Sequence, residues 1–157
     1  MKHWYLIKTK SKQEDIAIFN LENQNFHVYC PHALISNKNV ALFPGYIFIQ
    51  LDKDTQNWSP IRSTKGVLYF VRFGLSYAKI PDNIIEFIKT NELNTVEKLK
   101  NINKFKSGDK VLINDGVFKN CIAIFQSFKS DERVTLLMNL LGQQQNITIK
   151  KESLNAL

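Results

Sequence analysis

Aliphatic residues alternate with aromatic and amide residues along positions 46–51, directly after a Pro-Gly pair at positions 44–45. This alternation predicts a β-strand with one side turned toward a core. That side carries Ile47, Ile49 and Leu51, and the other side shows two aromatic rings followed by an amide. Exposed rings beside a basic helix indicate a docking surface for a large partner.

The pattern up to position 90 follows the order βαβ-βαβ with a final helix. Strands are expected at residues 3–8, 26–29, 46–51 and 66–73, with a polar loop at residues 36–39. This order predicts an α+β fold, in which helices pack on an antiparallel or mixed sheet.

Three helices are expected in the same part of the chain. The first starts at a capping box over residues 11–14, ends near Asn25, and has an apolar side of Ile16, Ala17, Phe19 and Leu21. The second, over residues 54–64, is bent or broken at Pro60. The third begins at residues 81–83 and has an apolar face of Ile84, Ile85, Phe87 and Ile88.

Residues 91–104 change in composition, because they are polar and rich in Asn, Glu and Lys. They predict an interdomain linker between a domain at 1–90 and a second at 105–157. The second domain is expected to be a small β-barrel, with an Asp-Gly turn at residues 115–116 and short strands at residues 110–113, 121–125, 134–138 and 146–149.

The apolar runs of the second domain also fit helices. Val134, Leu137, Met138 and Leu141 recur at helical spacing, as do Phe118, Ile122 and Phe125. Periodicity does not decide between strand and helix in short apolar runs. The pattern by itself favours the barrel.

The charge and the absence of known motifs limit the classes of function that the sequence favours. Lys and Arg outnumber Asp and Glu by 21 to 14, a net charge of +7 that favours a polyanionic partner. Solubility accounts for the excess equally well on composition alone. No nucleotide-binding or hydrolase motif occurs, and the three histidines lie near no nucleophile. Neither enzymatic activity nor a cofactor nor a metal is therefore expected.

Cys30 and Cys121 lie far apart in apolar runs, which predicts buried, reduced thiols rather than a disulfide or a zinc site. The sequence begins without the apolar core of a signal peptide, and no stretch is long enough to span a bilayer. A soluble, cytoplasmic protein without membrane contact is expected.

Four segments together resemble one family. They are WYL at residues 4–6, ALFPGYIFI at 41–49, GVLYFVRFG at 66–74 and FKSGDKV at 105–111. In this order they are similar to the NusG family of transcription elongation factors, and most similar to its specialised antitermination branch, RfaH. The resemblance implies an N-terminal NusG-like (NGN) domain and a C-terminal KOW domain. In that branch the KOW domain is a β-barrel or an autoinhibitory α-helical hairpin.

The resemblance implies DNA contacts on a basic, amide-rich face. By position, the residues that contact the non-template single strand are Lys10, Asn20, Asn23, Thr64 and Lys65. Lysines suit phosphate contacts, and asparagine can read an adenine edge. The family member has bulkier or cationic residues at positions 20 and 23, so a different DNA element is expected.

The resemblance also implies an apolar groove for the clamp helices of the largest RNA polymerase subunit. The residues expected there are Phe43, Tyr46, Phe48, Phe73 and Ile85. These rings should be exposed or covered by the second domain, since a sheet buries both faces only between two layers. Trp58 falls where the family touches the polymerase gate loop, although packing within the domain is an equal alternative.

In the KOW domain the resemblance implies a small-subunit ribosomal protein as a partner, with Phe118 and Leu141 at its interface. Arg133 matches the cation of an interdomain ion pair, but Val40 stands where the acid would be. The implied function is that of a monomeric RfaH-like factor which suppresses pausing and termination. A housekeeping NusG-type factor with a permanent barrel that binds Rho, and a nucleic-acid-binding module that acts without polymerase, are the alternatives.

Overall fold

The computed structural model describes residues 1–35, 37–92, 116–127 and 129–155. The strands are β1 (Lys2–Thr9), β2 (His27–Tyr29), β3 (His32–Ile35), β4 (Lys38–Ala41), β5 (Tyr46–Asp52), β6 (Val67–Phe70), β7 (Arg72–Phe73), β8 (Ser76–Tyr77) and β9 (Lys79–Ile80). The helices are α1 (Glu14–Glu22), α2 (Ser59–Arg62), α3 (Asp82–Glu92), α4 (Gly116–Gln126) and α5 (Ser130–Asn155). The α+β fold class is therefore confirmed.

The main sheet is antiparallel and has the strand order β2-β5-β1-β6. Strand β1 pairs with β5 along its whole length, from Lys2 opposite Asp52 to Lys8 opposite Tyr46. On its other edge β1 pairs first with β9 and then with β6. Two hairpins, β3-β4 and β7-β8, form separate two-stranded sheets.

One face of this sheet forms the main apolar core. The alternating residues Tyr5 and Ile7 of β1 and Ile47 and Ile49 of β5 are buried in it, together with Leu21 of α1. Each such buried side chain contributes roughly 1.5–3 kcal/mol relative to exposure. The predicted strands at residues 3–8 and 46–51 are confirmed because their alternation serves this core.

Helix α1 starts differently from the prediction. Its N-cap is Gln13, which makes no side-chain cap hydrogen bond, so the capping box over residues 11–14 is wrong. The Glu14 carboxylate instead accepts a hydrogen bond of 2.8 Å from the backbone N–H of Gly45. The exit near Asn25 is confirmed, because this residue has a positive φ of 68° just beyond the helix.

Two further local predictions are wrong. The loop expected at residues 36–39 contains the start of β4, which pairs with β3 in a hairpin closed by a hydrogen bond of 2.9 Å from Leu42 N–H to the Pro31 carbonyl. The helix expected over residues 54–64 is the short α2, and Pro60 stands at its first turn instead of breaking it. Proline suits this position because the first helical N–H groups lack partners.

The C-terminal strands expected at residues 121–125, 134–138 and 146–149 are wrong, because these residues lie in α4 and α5. The helical alternative is present with a shifted stripe: the fully buried residues are Cys121, Ile124, Phe125, Arg133, Leu137, Leu140 and Leu141. Gly116 begins α4 rather than a turn. The strand expected at residues 110–113 lies outside the described residues.

The chain divides into two compact units. The sheet unit comprises residues 1–30, 44–81 and 141–157, and the helical unit comprises residues 31–43 and 82–140. In the helical unit α3 packs against α4, with the Phe87 and Phe125 ring centroids 6.3 Å apart. Across the described part of the chain, no helix combines the length and apolarity needed to cross a bilayer.

Candidate functional site

The basic face of the sheet unit is assembled by a backbone contact. The N–H of Lys10 donates a hydrogen bond of 2.9 Å to the Gly66 carbonyl, so the loop with Lys65 lies beside the entrance to α1. Gly66 has a φ of 92°, and a Cβ there would lie 2.7 Å from the Ala17 nitrogen. Only glycine lets the loop approach the helix this closely. The loop and the start of α1 therefore form one face.

A chain of hydrogen bonds joins α1 to this loop. The Gln24 amide donates to the Thr64 hydroxyl at 2.9 Å and to the Asn20 carbonyl at 3.0 Å. Thr64 is only 7% exposed, and its hydroxyl donates to the Pro60 carbonyl at 2.8 Å. The structure thus brings Lys10, Asn20 and the Thr64–Lys65 pair together, but it buries Thr64 in the supporting network.

Helix α1 also exposes two apolar residues that the sequence pattern assigned to its buried side. Phe19 is 64% exposed and Ile16 is 38% exposed, whereas Ala17 and Leu21 are fully buried. Ala17 and Leu21 are four residues apart and define the inward stripe, and Phe19 lies opposite them around the helix. This spacing was the available signal, and the expectation that Ile16 and Phe19 are buried is wrong.

The five residues predicted for the apolar groove are buried or half-buried rather than exposed. Phe43, Phe48 and Ile85 are fully buried, while Tyr46 and Phe73 are half-buried. The Lys8 ammonium nitrogen lies 4.5 Å from the centroid of the Tyr46 ring. Burial raises the pKa of the Tyr46 phenol, and the neighbouring Tyr69 adds to this shift.

Both compact units contain residues of the C-terminal helices α4 and α5 as well as some of these side chains. The helical unit contains Phe43 and Ile85 together with α4 and the first part of α5. In the sheet unit, a Cβ at Gly142 of α5 would lie 3.6 Å from Phe73 Cε1. Coverage of the rings by the second domain stays a prediction.

Arg133 of α5 holds the end of the β3-β4 hairpin inside the helical unit. Its Nε donates a hydrogen bond of 2.7 Å to the Leu42 carbonyl, and its Nη1 donates one of 3.2 Å to the Ser127 carbonyl. The side chain is 2% exposed, and this burial lowers the pKa of its guanidinium. Among the described residues no carboxylate lies within ion-pair distance of Arg133, and peptide carbonyls accept its hydrogen bonds.

Trp58 packs within the sheet unit. Its ring lies against Tyr5, Phe70 and Tyr77, at centroid distances of 4.9, 5.9 and 5.9 Å, and its indole N–H donates to the Asp52 carbonyl at 3.3 Å. The alternative of local packing is therefore confirmed.

The remaining predicted residues are placed as follows. Asn23 is exposed at the C-cap of α1, and Leu141 is fully buried. The side chain of Phe118 lies outside the described residues.

Cys121 is buried as predicted, whereas Cys30 is only half-buried. In the described ranges, no three His, Cys, Asp or Glu side chains are grouped to hold a metal ion.

The sheet unit thus combines an antiparallel sheet with α1 in an α+β arrangement. The model of the family described as "Transcription termination factor nusG" matches residues 2–89, more than half of the chain. The chain belongs to the NusG family.

Individual relatives agree with this assignment. The transcription termination/antitermination protein NusG of Chlamydia trachomatis is 23% identical over 94% of this chain and 90% of its own length. That of Staphylococcus carnosus is 23% identical over 99% of this chain and 96% of its own. A solved structure, "Domain interaction in Thermotoga maritima NusG", matches 56% of this chain and 55% of its own at 22% identity, with a TM-score of 0.46.

The comparisons confirm the family named from the sequence motifs. They do not extend to the narrower likeness to RfaH, because the relatives described above are named NusG. A family of transcription factors is consistent with the expectation that the protein is not an enzyme.

Proposed function

We propose that this chain is a transcription elongation and antitermination factor of the RfaH-like kind. It binds the clamp helices of RNA polymerase through the covered aromatic surface, defined as Phe43, Tyr46, Phe48, Phe73 and Ile85. In the unbound protein, α4 and the first part of α5 share the helical unit with Phe43 and Ile85. The observation that carries the proposal is the buried bond from Arg133 to the Leu42 carbonyl, one residue before Phe43.

The proposal requires the polymerase and the C-terminal helices to compete. Both would offer apolar helical side chains to the same surface, which is the helix-in-groove mode of recognition. The apparent affinity for polymerase would then equal the intrinsic affinity multiplied by the fraction of molecules in which the surface is uncovered. The contact of Phe73 with the Gly142 position and the packing of α4 on α3 support such a competition.

The basic face supplies the second contact of the proposed factor, with the non-template single strand. Lys10 and Lys65 are exposed and suited to phosphate, and Asn20 and Asn23 lie on the adjoining side of α1. Thr64 is assigned a positioning role, because its hydroxyl is engaged by Gln24 and Pro60. Bridging polymerase and DNA would disfavour the opened, paused state by differential binding.

After release, the C-terminal region would bind a small-subunit ribosomal protein through Phe118 and Leu141 and so connect transcription with translation. Leu141 is fully buried in the described conformation. This contact therefore requires α5 to leave its position first, and the proposed factor acts on the ribosome only after it has bound polymerase.

A general NusG-type factor is the second candidate function. The relatives favour it, because they bear that name and match the chain over 94–99% of its length. Such a factor would keep its aromatic surface open and its C-terminal domain as a barrel. Helices α4 and α5 are the feature that favours the RfaH-like candidate.

One binding experiment separates these functions. Purified RNA polymerase is titrated with the wild type, Arg133→Gln and Tyr46→Ala, with Lys129→Gln as a control for an exposed cation near the start of α5. The RfaH-like candidate requires tighter binding by Arg133→Gln and weaker binding by Tyr46→Ala. Equal affinity of the wild type and Arg133→Gln, with Tyr46→Ala weakened, favours the general factor. Failure of every protein to bind polymerase favours a module that acts on nucleic acid alone.

A further inference from the structure

Phe19 is the single aromatic residue of α1. It is 64% exposed and lies on the side of the helix opposite its buried stripe. Ile16, one turn earlier on the same side, is partly exposed as well. The two side chains form a small apolar patch, and neither the fold nor the contacts assigned so far to the basic face give them a role. An aromatic ring held rigidly on a helix is suited to stacking.

The residues around α1 are ordered from basic to acidic. Nearest the loop with Lys65 is Gln24, which is bonded to Thr64, and Asn20 lies next to it. Ile16 and Asn23 follow around the helix, then Phe19, and beyond it Asp15 and Glu22. The patch thus has amides and lysines on one side and two carboxylates on the other.

This order restricts how a polyanionic strand can lie. Phosphates are attracted to the side of Lys10 and Lys65 and repelled from Asp15 and Glu22. A strand that follows the lysines therefore passes beside Asn20, at the distance of one side chain from Phe19. Its bases, turned away from the loop, meet the ring of Phe19 before they reach the carboxylates.

We propose that Phe19 is a stacking platform for one base of a single-stranded DNA segment, with Ile16 supporting the edge of that base. The inference rests on the proposed DNA-binding role of the basic face and adds a residue to it. Aromatic platforms beside a cationic groove are a general means of holding single strands, because every base has a flat face. A protein partner is less well matched, since the patch has only two apolar side chains and is bordered by charges of both signs.

The test is a fluorescence anisotropy titration of the full-length protein against a short labelled single-stranded DNA of mixed sequence. We expect Phe19→Ala and Phe19→Leu to bind about tenfold more weakly or worse, with the salt dependence unchanged, because stacking does not release counterions. Phe19→Tyr should retain binding. Leu75→Ala removes an apolar side chain that is 98% exposed in the turn between β7 and β8, and it serves as the control.

Lys10→Ala distinguishes failure of this inference from failure of the DNA face. If Lys10→Ala weakens binding while Phe19→Leu binds like the wild type, Phe19 is not a stacking platform, but the basic face still binds DNA. If neither substitution changes binding, the DNA face itself is wrong. Since Phe19 lies at the surface, all variants should keep the thermal stability of the wild type, so a change in binding reflects the contact.

Discussion

The Nε of Arg133 donates a hydrogen bond of 2.7 Å to the main-chain carbonyl of Leu42, and both groups are buried. A buried guanidinium without a carboxylate partner is costly unless oxygen dipoles satisfy its N–H groups. The Leu42 and Ser127 carbonyls do so, which ties α5 to the end of the β3-β4 hairpin. A peptide carbonyl cannot be removed by changing a side chain, so control of this contact resides in Arg133.

Arg133→Gln is expected to loosen the C-terminal helices. The shorter amide loses hydrogen bonds made by a charged donor, worth about 2 kcal/mol in total. Backbone amides over residues 121–127 and 130–143 should then exchange with deuterium faster. Lys129→Gln changes an exposed cation nearby and should leave these rates unaltered. Equal exchange in Arg133→Gln and the wild type would show that the guanidinium does not hold α5.

Gly66→Ala is expected to destabilise the sheet unit more than Gly74→Ala. Both glycines have a positive φ, so each substitution should cost about 1 kcal/mol of conformational strain. At Gly66 the new Cβ would also meet the Ala17 nitrogen at 2.7 Å, while at Gly74 nothing lies within 4 Å. Urea unfolding should therefore show a loss of roughly 2–4 kcal/mol for Gly66→Ala. Similar losses in the two variants would contradict close packing of the loop on α1.

Lys10→Ala and Lys65→Ala are expected to weaken binding to single-stranded DNA and to flatten its salt dependence. Each lost phosphate contact lowers the slope of log affinity against log salt by about 0.7. Lys53→Ala is the matched control, because Lys53 follows Asp52, which pairs with Lys2 at the end of β1 remote from Lys10. If Lys53→Ala flattened the slope as much, net charge rather than the basic face would explain the binding.

The parts of the fold that the sequence predicted are those with one strong period. Strand β5 is rich in apolar residues at period two, although Phe48 is buried along with Ile47 and Ile49, and α3 buries Ile84, Ile85 and Ile88. The C-terminal runs satisfied both periods, so the pattern was unable to separate a strand from α4 or α5. Pairing in space, as between Arg133 and Leu42, is a long-range contact that no local pattern encodes.

Some features of the candidate site were likewise visible in the sequence, and others were not. The lysines and asparagines of the basic face were visible as residue types, and the family resemblance placed them on one face. Phe19 was missed because apolar residues on a helix were assigned to the core before the inward direction, set by Ala17 and Leu21, was known. Burial of Thr64 was likewise invisible, since it arises from the hydrogen bond with Gln24, 40 residues earlier in the chain.

The proposed function requires that the C-terminal helices cover the aromatic surface until RNA polymerase displaces them. Hydrogen exchange of the full-length protein over residues 121–127 and 130–143, before and after addition of polymerase, measures this directly. Slow exchange at residues 121–127 and 130–143 in the unbound protein, with a different set of protected amides upon binding, is the predicted result. Rapid exchange in the unbound protein, or protection that polymerase leaves unchanged, would contradict the account.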